Sequence, residues 1–182
     1  LKRLPPAAPP SSKHPHSGLW AADYGPQGLE VLQLHYDFKG KAASLHATKV
    51  TGDDCVPAGQ CSWQAAAAPV PVPWPEAVQT LVQQHEERWL AEREWWEDDS
   101  SGDDGSGSNS SPAAAAAAAS GGKRPPQVVA VHEGSGRVAG PGFSNPQWVA
   151  GRLLAFADGN LSFVWLEGLG QVTEMRRLRI AA

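Results

Sequence analysis

Little in this sequence favours chemistry at a thiol, a metal or a phosphate. Cysteine occurs only at Cys55 and Cys61, which excludes a scaffold built from several disulfides and leaves no C-x-x-C knuckle for a thiolate-bound metal. One disulfide between the two is compatible with the sequence; reduced thiols in an intracellular protein are the expectation. Positive charge is not in excess: 15 Lys and Arg stand against 19 Asp and Glu, a net −4. A nucleic-acid partner, which calls for a basic surface, is therefore not expected. No apolar run approaches the roughly 18 residues of a membrane-spanning helix, so no membrane association is expected either. The opening Leu1-Lys-Arg-Leu-Pro-Pro has neither an apolar signal core nor an initiator Met and reads as a piece of a longer protein. The six histidines show no H-x-x-x-H or H-E-x-x-H spacing, so they read as surface or packing residues rather than metal ligands. There is no G-x-S-x-G elbow, and no Ser or Cys with an identifiable base. No metal, no cofactor and no catalytic residue is expected, and the chain is not read as an enzyme.

What is abundant is glycine, proline and alanine, with 19 Gly and 16 Pro among the 182 residues. They concentrate in two places. Residues 1–16, with Pro5-Pro6 and Pro9-Pro10, read as an extended, disordered linker. Residues 97–126 pass from Glu97-Asp-Asp through Ser/Gly repeats and the run Ala113–Ala119 to Lys123-Arg-Pro-Pro. Such sequence buries too little apolar area to offset an ordering entropy of about 1–2 kcal/mol per residue, and a disordered insert is expected. Ser100, Ser101, Ser106 and Ser108 lie beside its acids, accessible to phosphorylation.

The rest, residues 17–180, is read as one domain made of short β-type runs. Leu29–Tyr36 places Leu32, Leu34 and Tyr36 on one face, and Ser44–Val50 can pair with it after a turn at Lys39-Gly40. Cys61–Ala66 and Val128–His132 are further strands. The clearest hairpin is Leu153–Ala157 and Leu161–Leu166 about Asp158-Gly159, which supplies the left-handed backbone of a tight turn. Val172–Ile180 closes the series, with Arg177 and Arg179 outward and Leu178 and Ile180 inward. One helix is expected over about 75–96, opened by Pro75 and carrying Val78, Leu81, Val82, His85, Trp89 and Trp96 at helical spacing. The acids after Trp96 oppose its dipole and favour fraying there. Seven or eight strands with one inserted helix and one insert give an all-β, mainly antiparallel fold, a β-barrel or sandwich, with the barrel preferred.

Several motifs have plain readings. Gly134-Ser-Gly136-Arg-Val-Ala139 matches a dinucleotide fingerprint, but Gly140-Pro141-Gly142 follows where a helix would have to begin, so it is read as a turn. Asn109 and Asn160 have glycosylation form and no secretory context. Of the eight tryptophans, Trp20, Trp63 and Trp165 sit on expected strands and Trp89, Trp95 and Trp96 on the helix; they are either core residues or, for one or two of them, anchors in a peptide groove. The most pointed segment is Val50–Gln60, a polar loop with two carboxylates and a hydroxyl between two strands. It is either a structural turn in which Asp53 caps its own backbone, or a rim loop whose carboxylate receives an amide or amine from a partner.

Four ordered blocks carry a resemblance: Gly18-Leu-Trp-x3-Tyr24-Gly-x2-Gly28-Leu-Glu-Val, Thr51-Gly-Asp-x2-Val-Pro-Ala-Gly-Gln60, Ala139-Gly-x-Gly142-Phe and Phe163-Val-Trp-Leu-Glu167. Together they resemble the C-terminal cyclin D-binding domain of the F-box only protein 31 family, over about 17–75 and 127–180. The resemblance implies a β-barrel acting as substrate receptor of a Skp1–cullin–F-box ubiquitin ligase, cytoplasmic or nuclear, with D-type cyclins among the family's targets. The Skp1 adaptor would be reached only through an F-box outside this chain. Thr51, Gly52, Asp53, Pro57 and Trp165 are the candidate substrate-binding residues. Gly142-Phe-Ser-Asn-Pro-Gln-Trp-Val-x-Gly151 is closer to the plastid EXECUTER proteins, which share the domain. That resemblance implies, as the alternative, a chloroplast module in singlet-oxygen stress signalling. A barrel enclosing a small hydrophobic ligand is a further alternative.

Overall fold

The computed structural model describes residues 7–38, 42–98, 125–167 and 171–179. Most of the 97–126 insert lies outside these, including its candidate serines, Asn109 and the alanine run, as do Lys39, Gly40, Ile180 and the side chains of Trp95 and Trp96. Two compact units are distinguished, Leu1–Pro71 with Val128–Ala182, and Val72–Gln127.

The first unit is a closed barrel. Its strands are β1 (Gly18–Asp23), β2 (Leu29–Asp37), β3 (Ser44–Lys49), β4 (Cys61–Ala66), β5 (Val128–Gly140), β6 (Ser144–Phe156), β7 (Leu161–Trp165) and β8 (Val172–Arg177). Each pairs antiparallel with the next, and β8 returns to pair with β1. The all-β antiparallel barrel expected from the sequence is thus the fold, closed by strands from two separated stretches of chain. Closure removes the free edges of an open sheet. An eight-stranded barrel has an interior that side chains can just fill, and period-two alternation supplies them: Trp20 and Ala22, Leu32 and Leu34, Leu45 and Ala47, Trp63 and Ala65, Leu153 and Ala155, Leu161, Phe163, Trp165 and Met175 are all buried. Trp63 stacks on Phe163 at 5.0 Å, and Trp165 meets the edge of Phe163 at 4.7 Å. Each large side chain buried this way contributes about 1.5–3 kcal/mol.

Among its described residues the second unit carries one helix, α1 (Glu76–Asp98). Pro75 lies just before it, its carbonyl accepting from the N–H groups of Val78 and Gln79 at 2.9 and 3.1 Å. Val78, Val82 and His85 form its buried stripe, as their spacing predicts.

Three expectations are corrected. Gly134–Ala139 is not a turn but the middle of β5, which runs on to Gly140. Likewise β6 begins at Ser144, nine residues before the expected Leu153, so β5 and β6 form one long hairpin. The facing expected at the end of the last strand is reversed for Arg177 and Leu178, while Arg179 is exposed as expected. Thr173 and Met175 are fully buried, so Arg177, of the same parity, turns inward, while Leu178 is exposed. The Arg177 guanidinium is accommodated at the barrel end: it lies 4.5 Å over the Trp20 ring and donates to the carbonyls of Ser17 and Pro15. The Pro15 carbonyl belongs to the stretch 1–16 read as linker, and Ser11–His14 and Ser17–His14 backbone bonds fold residues 11–17 onto themselves.

Candidate functional site at the loop end of the barrel

The odd-numbered strands all run toward one end, where the connection after β1, the 50–60 loop and the β5–β6 turn meet. Sequence explains how the loop is fixed there. Val50 continues the β2–β3 ladder by donating to the Val31 carbonyl at 2.8 Å, and Thr51 Oγ1 accepts from the Val31 N–H at 2.9 Å. Gly52 allows the chain to double back: a Cβ there would stand 2.1 Å from the Ala58 nitrogen. Asp53 Oδ1 accepts from the N–H groups of Cys55 and Val56 at 2.8 and 2.5 Å, closing an Asx-type turn. Pro57 accepts from the Gln60 N–H, and Gly59 donates to the Lys49 carbonyl. Asp54 receives the Phe143 N–H at 3.0 Å, tying the loop to the β5–β6 turn.

Beneath the loop lies a charge cluster. Lys49 is 1% exposed, and its ammonium donates to Glu30 Oε1 at 2.7 Å and Asp53 Oδ2 at 2.6 Å while standing 4.3 Å over the Tyr24 ring. Tyr24 Oη and Ser62 Oγ share a hydrogen bond of 2.8 Å. Burial pushes the Glu30 carboxyl up, against the Lys49 ammonium that favours its charge, and Asp53 adds to the rise. Burial acts the same way on Asp53, but the bonds from Lys49 and the Val56 N–H outweigh it and hold that carboxyl low. Glu30 Oε2 is buried without a hydrogen-bond partner. Burial also drives the Tyr24 phenol upward.

The structure brings Thr51, Gly52, Asp53 and Pro57 together in one rim loop. Asp53 caps its own turn through Oδ1, as the plain reading has it, and its Oδ2 faces Lys49 of the same chain. Trp165 is not on the rim. It is 4% exposed, inside the barrel, 6.1 Å from Tyr24, which separates it from the Lys49 cluster. Sequence reasoning did not count Lys49, Glu30 and Tyr24 among the site residues, although a signal was present: Glu30 shares parity with Leu32 and Leu34, and Lys49 with Leu45 and Ala47, so the inward stripes of two paired strands end in opposite charges. It also passed over Arg137, whose guanidinium donates to Gln60 Oε1 at 3.2 Å and lies 4.5 Å from Trp148 and 5.6 Å from Phe143. Both cysteines are free thiols, and burial pushes that of Cys61 to about 11. Among the described residues no group of His, Cys, Asp and Glu could hold a metal ion, and no helix is long and apolar enough to cross a membrane.

The Protein EXECUTER 2, chloroplastic, of Oryza sativa subsp. japonica is 28% identical to the chain over 148 residues. The match takes in 77% of this chain and 17% of that protein's length. The family described as the Cyclin D1 binding domain matches residues 1–182, and the chain belongs to it.

Proposed function

We propose that this domain is a non-catalytic protein-binding module that captures a peptide of its partner at the loop end of the barrel. The observation that carries the proposal is the rim itself. A polar loop is held rigid by its own turn bonds and by a buried ammonium, above an interior already filled with side chains. A preorganised polar group loses little freedom on binding, and a packed interior leaves the rim as the surface to be read. For the same reason a barrel enclosing a small hydrophobic ligand is the less favoured reading. Thr51, Gly52, Asp53 and Pro57 would meet the peptide, with Trp165 supporting them from inside through Tyr24 and Lys49.

In its finer form the module is a substrate receptor of a Skp1–cullin–F-box ubiquitin ligase, recognising a degron in a protein target, in the cytoplasm or nucleus. The family's description supports a cyclin-type target. A second reading, a plastid stress-signalling module, is supported by the similarity to the chloroplastic EXECUTER 2.

Calorimetric titration of cyclin D1 against the chain and its Asp53→Asn variant tests the first reading. The variant keeps the Oδ1 acceptor of the turn and removes the charge. At least tenfold weaker binding is expected, compared at a temperature where circular dichroism shows both proteins folded, since losing the charge that faces Lys49 also lowers Tm. Undiminished binding would assign the loop a purely structural role. No binding by the wild-type chain, together with chloroplast import of the tagged full-length protein, would establish the second reading instead.

A further inference from the structure

The β5–β6 hairpin outruns the barrel that holds its base. β4 pairs with β5 only over Gly134–Gly136 and β7 with β6 only over Gly151–Ala155, whereas β5 and β6 stay paired as far as Gly140 and Ser144. Past the barrel each strand has a single strand neighbour among the described residues. The β5 edge is covered by the 50–60 loop, through Arg137 on Gln60 and Phe143 on Asp54. The β6 edge is different. On its side away from β5, the Ala150 carbonyl accepts from the Leu166 N–H at 2.9 Å, and the Ala150 N–H faces Glu167 Oε1 at 3.5 Å. Alternate residues of an antiparallel strand send both backbone groups to the same side, and the β6 register is unshifted from Gln147 to Leu154. The N–H and C=O of Trp148 and the C=O of Pro146 therefore point outward along this edge, beyond the end of β7.

We propose that this edge receives an extended segment of a partner protein, added as a short strand in line with β7. A donor and two acceptors at strand spacing are matched by another extended backbone, which is the chemistry of strand addition. Side-chain selectivity comes from the outer face, where Trp148 and Leu166, 42% and 43% exposed, flank Ala150; the segment places an apolar side chain between them. Arg137, stacked on Trp148, holds the indole in place. Pro146 has no N–H, so the ladder stops there. The stretch of β6 beyond its bonds to the end of β7, 146–149, has no second strand neighbour among the described residues; at ~3.4 Å per residue it is about 14 Å long, which suits a short peptide strand and is too short an edge to build by itself the ~1,200 Å² interface that a stable pair of identical chains needs. This inference rests on the protein-binding reading and adds to it a second contact beside the rim loop.

The probe is a phage-displayed library of random dodecapeptides selected on the whole chain, with selected peptides synthesised and titrated by fluorescence anisotropy. Trp148→Ala is expected to weaken binding about tenfold, and Trp148→Pro, which also removes the outward N–H, by a further tenfold. N-methylation along the peptide backbone is expected to weaken binding at alternate residues, a readout that leaves the chain itself untouched should Trp148→Pro fail to fold. Failure to select any peptide, equal binding by the two Trp148 variants when both fold, or N-methylation effects without a period of two would each overturn the inference. Peptides lost with Asp53→Asn but indifferent to Trp148 would overturn the edge and leave the loop reading standing; the converse would retain the edge and overturn the loop. Peptide competition with self-association of the chain in sedimentation would replace the partner with a second copy and overturn it as well.

Discussion

An ammonium as buried as that of Lys49 loses nearly all its water, a loss of several kcal/mol that only close, well-directed acceptors offset. Two carboxylates and an aromatic face do so here. The arrangement is asymmetric in its consequences. Lys49→Met removes the one cation between two carboxylates and is expected to lower stability by about 3–5 kcal/mol, read from the urea midpoint. Adding Glu30→Gln is expected to restore part of the loss, because it removes the more deeply buried charge. An unchanged midpoint in Lys49→Met would mean that the cluster contributes nothing to holding the loop. The two carboxylates also respond to pH with opposite sign. Asp53, held low in the fold, stabilises above its unfolded value, and that contribution is lost as the pH falls through its folded one. Glu30, pushed up, costs stability as the pH rises through its unfolded value toward its folded one.

At the scale of the strands, the interior depends on three glycines. A Cβ at Gly136 would stand 2.0 Å from Trp165 Nε1, one at Gly151 2.5 Å from Phe163, and one at Gly134 2.5 Å from the Gln64 carbonyl. Small residues on β5 and β6 make room for large ones on β7. Gly136→Ala should therefore overpack the barrel and cost about 1–3 kcal/mol, with recovery on adding Trp165→Phe; no recovery in a denaturant titration would place the strain elsewhere. The same glycines show where the sequence was legible and where it was not. The Asp158-Gly159 hairpin could be read directly, since Asp158 Oδ1 takes the Asn160 N–H and Gly159 has φ of +85°. So could the stripes of Leu32 and Leu34 or Trp63 and Ala65, because period-two burial is a local property. Gly134 and Gly136 read as a turn because Gly140-Pro141-Gly142 forbids a helix after them, and glycine is locally unfavourable in strands. The reason for Gly136 is the Trp165 ring contributed from β7, and that for Gly134 is the close approach of the Gln64 carbonyl of β4; no local pattern contains either. Asp53 was legible as a loop carboxylate, but its donor Lys49 was not, since a lysine at a strand end is usually solvated.

The whole barrel is closed at its other end by pieces far apart in sequence. Arg177, on the last strand, bonds to the Ser17 carbonyl at 2.6 Å, Trp20 Nε1 donates to the His16 carbonyl at 3.0 Å, and the His14 ring lies 5.1 Å from both Tyr36 and Phe38. His16 is caught in this closure. Burial first, then His132, 6.3 Å away edge-on, and Arg177 push its pKa from 6.5 to about 4. Burial lowers His132 and His46 as well. A histidine held neutral in the fold takes up a proton on unfolding. Its stabilising contribution is complete above pH 6.5, falls as the pH drops through 6.5 toward 4, and falls no further below that. Thermal scans between pH 7 and 4 should accordingly show Tm decreasing over this window. His16→Phe, which keeps the ring and removes the titration, should have the shallower slope, the remainder coming from His132 and His46. A slope indifferent to His16→Phe would show that His16 gains its proton without leaving the fold, and that the carbonyls bound by Arg177, rather than the imidazole, hold the first strand to the last.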